Sequence, residues 1–167
     1  MSSTATLSDS FTQALLGEDE LGVVIRSQIH VEVKLNQLLV ALAKNPSQID
    51  RMQLDYFQRV NLAVVLGLDP AHAAPLLALG TLRNAFAHRL ETRLTKDRVD
   101  NLYKTFAPED RVIVQASFKR TLEQGVGEKG SSFRSLAPKV RFILMAVSLE
   151  AMVQAHLSHF VSKNAGA

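Results

Sequence analysis

Apolar residues recur along this chain at the spacing of a helix and nowhere at the strict alternation of a strand, which restricts the fold to an all-α architecture. Between Leu21 and Asn45 the residues Leu21, Val24, Val31, Leu35, Leu38 and Leu42 share one helical face, and Pro46 closes the segment. Arg26, His30 and Lys34 form a second ridge that reads as a solvated face. A helix is predicted over Arg51 to Leu66, with Leu54, Phe57, Val60 and Val64 inward and Gly67 as its C-terminal cap. Asp69-Pro70 is a restart signal, a capping carboxylate followed by proline at the first helical position. Pro75 moves the start of the regular helix further along. That helix places Leu79, Leu82, Phe86 and Leu90 on its buried ridge. Gly80 within it points to close approach by another backbone or a ligand.

Thr92 or Thr95 starts the next predicted helix, and Pro108-Glu109-Asp110 the one after, with Val112, Val114, Phe118 and Leu122 apolar. Gln124 to Ser135 reads as a mobile loop. The last helix, Pro138 to Ser162, is apolar nearly all round, the mark of a helix buried centrally or at a subunit interface. The expectation is a helical bundle with two long and several shorter helices. Residues 1–15 form a flexible or short-helical N-terminal segment, and 16–167 form a single domain.

At 167 residues the chain is long enough for a substantial core, and its composition, 47% hydrophobic and 21% charged, is that of a globular protein. Cysteine is absent, which excludes a disulfide framework, a thiol nucleophile and a thiolate metal site. The pair His156 and His159 lacks a third ligand in sequence, so no metal and no cofactor are expected. No membrane-spanning run and no signal-peptide layout are read from the sequence, and the expected location is cytoplasmic. A formal net charge of +3 suits a polyanion partner only where the charge is clustered.

Such clustering occurs around Leu82-Arg83-Asn84-Ala85-Phe86-Ala87-His88, with Arg89, Arg93, Lys96 and Arg98 following. An arginine, an amide and a histidine can bind a phosphate, hold it and move a proton near neutral pH. Arg83 and His88 are about 140° apart on a straight helix, whereas Asn84 and His88 are one turn apart on one ridge. Arg83 and His88 therefore converge only if the helix ends near His88, or if two copies of the chain face each other in a homodimer. The plain alternative is a helix-terminal histidine favoured by the helix dipole beside a surface arginine.

The same segment resembles the Arg-Asn-x-Phe-Ala-His signature of the mannitol operon repressor family, within the HEPN superfamily of all-α domains. Val31-Glu32-Val33-Lys34-Leu35-Asn36-Gln37-Leu38-Leu39 is similar to that family's long first helix. Phe57-Gln58-Arg59-Val60-Asn61-Leu62-Ala63-Val64-Val65-Leu66-Gly67-Leu68 is similar to its short helix ending in Leu-Gly-Leu. Pro138-Lys139-Val140-Arg141-Phe142-Ile143-Leu144 is similar to its final helix.

The resemblance implies a commonly dimeric helical bundle and, in catalytic members, a metal-independent endoribonuclease site. His88 would be general base or acid on the ribose 2′-hydroxyl, Arg83 would hold the scissile phosphate, and Asn84 would orient one of them. Arg89, Arg93, Lys96 and Arg98 would track the RNA backbone, or serve only surface solubility. Two function classes follow. One is an endoribonuclease of the toxin or RNA-processing type, with an antitoxin as partner. The other is a non-catalytic regulator of transcription that binds a protein or a nucleic acid.

Overall fold

The computed structural model describes residues 11–88, 93–123 and 131–165. Among these are eight α-helices and no strand. They are α1 (11–16), α2 (Glu20–Leu42), α3 (Ser47–Arg51), α4 (Tyr56–Leu66), α5 (Ala73–His88), α6 (Lys96–Thr105), α7 (Pro108–Glu123) and α8 (Pro138–Ala165), with 3-10 turns at Pro70–His72 and Phe133–Ser135. The all-α bundle expected from the periodicity is the fold that forms.

Local chemistry sets most of the boundaries. Asp19 caps α2 by accepting from the Gly22 amide at 2.7 Å. Thr95 caps α6. The helix predicted from Arg51 is broken at 52–55, where Gln53 adopts φ 49°. It restarts on a reciprocal capping box: Asp55 Oδ1 accepts from the Gln58 amide at 2.8 Å, and Asp55 N donates to Gln58 Oε1 at 3.0 Å. Gly67, at φ 126°, closes α4 as predicted. Pro75 falls in the first turn of α5, where its missing donor has no intrahelical partner to lose. The regular helix consequently starts two residues before it. Within the segment read as flexible or short-helical, 11–16 is helical and buries Phe11 and Leu15 in the core. Leu90, expected on the α5 ridge, lies outside the described residues, as does 124–130 of the predicted loop.

The long helices α2 and α8 form the most extensive pairing in the molecule. On α8 every residue from Arg141 to Leu149 is buried. Nine successive positions cover all sides of a helix, so α8 is enclosed by α2, α5, α6 and α7. Its all-round apolarity is thus satisfied within one chain, and a subunit interface is not needed to explain it. By length and composition Pro138–Lys163 would suffice to cross a bilayer, at a mean hydropathy of 1.4, against the expectation of no membrane-spanning run. Of that window, 61% is buried inside the fold, as in a core helix.

Two apolar residues of the predicted helical pattern face out. Leu21 is 48% exposed, in the first turn of α2 and ahead of the stretch that is buried from Val23. Val112 is 67% exposed because it lies about 200° round α7 from buried Val114. The ridge of Arg26, His30 and Lys34 is solvated but engaged. Arg26 pairs with Glu18 at 2.9 Å, His30 stacks on Phe11 at 4.1 Å, and Lys34 reaches Glu150 of α8 at 3.8 Å.

Gly80 does mark a close approach, and the partner is an aromatic ring. A Cβ there would sit 2.6 Å from Tyr56 Cδ1 and 3.2 Å from Phe57 Cζ. The Tyr56 hydroxyl donates to the Leu76 carbonyl at 2.9 Å, and burial, reinforced by Glu32, pushes its ionisation far upward, so it remains a donor. This hydrogen bond holds the ring against α5 and sets the α4–α5 spacing. Gly80→Ala should therefore cost about 1–3 kcal/mol, the usual penalty of overpacking, even though alanine is the better helix former. A lower thermal midpoint checks this; a midpoint at or above that of the parent would contradict the close packing.

Candidate functional site

The segment bearing Arg83, Asn84 and His88 is the last turn and a half of α5. Leu79, Leu82 and Phe86 turn inward. Arg83, on the neighbouring strip, is half-buried, and its Nη1 donates to Asn84 Oδ1 at 3.1 Å. Its Nε is shielded from solvent and has no hydrogen-bond partner among the described residues. His88 is exposed at the helix C-terminus, where the carbonyl ends favour a positive charge. The structure thus joins Arg83 to Asn84 and leaves Arg83 and His88 on different sides of α5, as the 140° separation requires.

Between α5 and α6 runs an open groove of about 380 Å³, within the size range of small-molecule sites. Ala78, Leu82, Ala85 and Leu102 give it an apolar floor, and Thr81, Arg98, Asn101 and Thr105 are its polar members. The hydroxyls of Thr81 and Thr105 donate to carbonyls of their own helices, at 3.0 and 2.6 Å, which leaves their oxygens as acceptors toward the groove. His88 continues the Thr81–Ala85 stripe, only about 20° round the helix from Thr81. Among the described residues, the guanidinium that lines this groove is that of Arg98, half-buried on the facing helix. Arg93 and Lys96 are exposed nearby, and Arg89 lies outside the described residues.

Of the two acidic residues of α6, one is engaged away from the groove. Asp97, beside Arg98, is exposed, whereas Asp100 is bonded to buried Arg141 of α8, which holds its carboxyl below the usual range; Lys96 and Arg134 add to the effect. The Arg141 guanidinium also lies over the Phe133 ring at 5.1 Å. The α6 backbone is in this way tied to the enclosed helix behind the groove.

A second polar cluster was not read from the sequence. His72 Nε2 lies 3.2 Å from Asp110 Oδ1, and His72 Nδ1 lies 3.2 Å from His156 Nε2. His159, one turn from His156, shares with it a cavity of about 70 Å³. His72 and Asp110 are 38 positions apart and His72 and His156 are 84 apart, so no local spacing could have announced the cluster. Among the described residues no group of three or more histidine or carboxylate side chains is arranged to hold a metal ion.

Comparisons of the chain with protein-family models, with curated proteins and with solved structures find no match.

The two principal side chains differ in what they do for the fold. His88→Ala should leave the thermal midpoint within the range of neutral surface changes, about ±0.5 kcal/mol. Arg83→Ala should lower it, because the long stem of Arg83 is packed and Asn84 loses its partner. Differential scanning calorimetry of the two variants tests this. Equal midpoints would show that the Arg83–Asn84 bond contributes nothing to stability.

Proposed function

We propose that the chain is a HEPN-like RNA-binding protein that acts as a metal-independent endoribonuclease of the toxin or RNA-processing type, working in the cytoplasm as a homodimer. The observation that carries the reading is an exposed helix-terminal histidine on the stripe that lines a groove with an arginine on its opposite wall. His88 takes the proton from a ribose 2′-hydroxyl, whose oxygen attacks the adjacent phosphorus as the bond to the 5′-oxygen breaks; the leaving oxygen takes up a proton from solvent, and His88 gives its own back to solvent. The products carry a 2′,3′-cyclic phosphate on one side and a free 5′-hydroxyl on the other. Arg83, oriented by Asn84, binds the phosphate whose charge grows in the transition state. Its angular distance from His88 is what calls for a second copy, so that the Arg83 of one chain faces the His88 of the other. Arg89, Arg93, Lys96 and Arg98 neutralise flanking phosphates.

One observation favours a second reading. The Arg83 guanidinium is already engaged by Asn84 and its Nε is enclosed, as befits a structural residue. On that reading the chain is a non-catalytic, mannitol-repressor-like regulator that uses the same surface to bind a protein or a nucleic acid.

Incubation with total RNA in EDTA separates the two. The nuclease reading expects cleavage that persists in EDTA, spares DNA and falls about 10²–10⁴-fold in His88→Ala. Arg83→Lys should fail as well, since an ammonium cannot replace the planar guanidinium fork. Sedimentation should show a dimer at micromolar concentration. RNA left intact by the wild-type protein, or cut equally fast by His88→Ala, rejects catalysis at this site. Retardation of RNA without cleavage would leave the binding reading standing.

A further inference from the structure

The cluster of Asp110, His72 and His156 joins three elements at the point where α5 begins. His72 ends the 3-10 turn Pro70–His72 that leads into α5, Asp110 lies in the first turn of α7, and His156 is on α8. His72 and Asp110 are both buried, at 9% and 7% exposure. A carboxylate, which only accepts, stands at one end, and with one proton on each ring that sets the order of donors and acceptors. His72 Nε2–H donates to the Asp110 carboxylate, so with one proton on its ring His72 Nδ1 is an acceptor, and His156 Nε2–H donates to it. Every ring nitrogen within the chain of contacts is then used.

We propose that Asp110, His72 and His156 form an acid-released latch, which holds the start of α5 against α7 and α8 while at least one imidazole is neutral and lets it go when both are charged. One added proton is tolerated. The pair remains donor-to-acceptor after a tautomer shift, and the Asp110 carboxylate balances the charge. A second proton is not tolerated, because two N–H donors and two positive charges then face each other across 3.2 Å with no acceptor between them. Separation of the turn from α8 relieves the contact.

The surroundings oppose the second proton. Burial, the nearby His72 and then His159 hold the His156 imidazole below its ordinary 6.5, while Asp69 and Asp110 pull the other way. From α2 and the end of α4 the adjoining cavity receives the apolar Leu38, Leu42 and Leu68 with Gly67, and Asp69, the next residue, supplies the partly compensating charge. The sign follows from linkage. The unfolded chain accepts the His156 proton more readily than the folded one, so the contribution is fully present above pH 6.5 and is lost as the pH falls below it.

Hydrogen exchange read by mass spectrometry on the full chain, at about pH 7.5 and about pH 5 and corrected for intrinsic rates, tests the latch. Peptides spanning 69–76 should open about tenfold more at the acid pH, the change expected from losing one hydrogen bond between charged groups. Peptides from the enclosed stretch 141–149 should not change. His156→Gln keeps an N–H donor for His72 and cannot be protonated, so 69–76 should remain protected at acid pH. Circular dichroism confirms that this variant is folded. Asp110→Asn removes the balancing charge and should move the opening to higher pH. Equal protection of 69–76 at both pH values in the wild type overturns the proposal. So does undiminished acid opening in His156→Gln, or loss of the response in His159→Gln alone.

Discussion

Enclosure of α8 is the constraint on which the rest of this structure depends. A helix buried on every side from Arg141 to Leu149 needs neighbours all around, and α2, α5, α6 and α7 are those neighbours. Each fully buried large apolar side chain contributes about 1.5–3 kcal/mol, so the run supplies a major share of the driving force. It also contains one charge. Arg141 is only 1% exposed and is neutralised by Asp100 of α6. Removing a partner from such a pair costs far more than the pair contributes. The pair therefore fixes α6 in place and, with it, one wall of the groove.

The candidate site inherits its geometry from this arrangement. α5 is positioned at its start by the turn around His72, along its length by the Tyr56 ring packed on Gly80, and on its far face by α6. His88 lies about 200° round the helix from Phe86, which is why it is exposed while Phe86, two residues earlier, is buried. The same rotation separates Arg83 from His88. The chemistry thus depends on which guanidinium meets the histidine: Arg98 across the groove in the same chain, or Arg83 from a second copy. The enclosure of α8 bears on that choice, because it removes the apolar last helix as a reason to expect a dimer and leaves the angular separation as the remaining one.

Helix type and much of the capping were legible because they are written in short spacings. Asp69-Pro70, Thr95, Pro108 and Gly67 act on their immediate neighbours, and each does so in the structure. Apolar periodicity likewise located the buried strips of α2 and α5, since a helix repeats every 3.6 residues whatever surrounds it. Its errors fell at ends and edges. Leu21 and Val112 are apolar residues that the bundle leaves uncovered, and the Asp55 to Gln58 box overrode a pattern that ran smoothly back to Arg51.

The sequence by itself determined an all-α chain, the approximate helices, the clustering of Arg83, Asn84 and His88, and the angle that keeps Arg83 and His88 apart, because all of these are properties of a single helix. Tertiary structure alone decided that α8 is central, that Gly80 receives an aromatic ring, that Arg98 shares a groove with the stripe leading to His88, and that Asp110, His72 and His156 meet. Those facts depend on how helices distant in sequence pack against one another. Packing is governed by the shape and burial of whole faces, which no local spacing encodes.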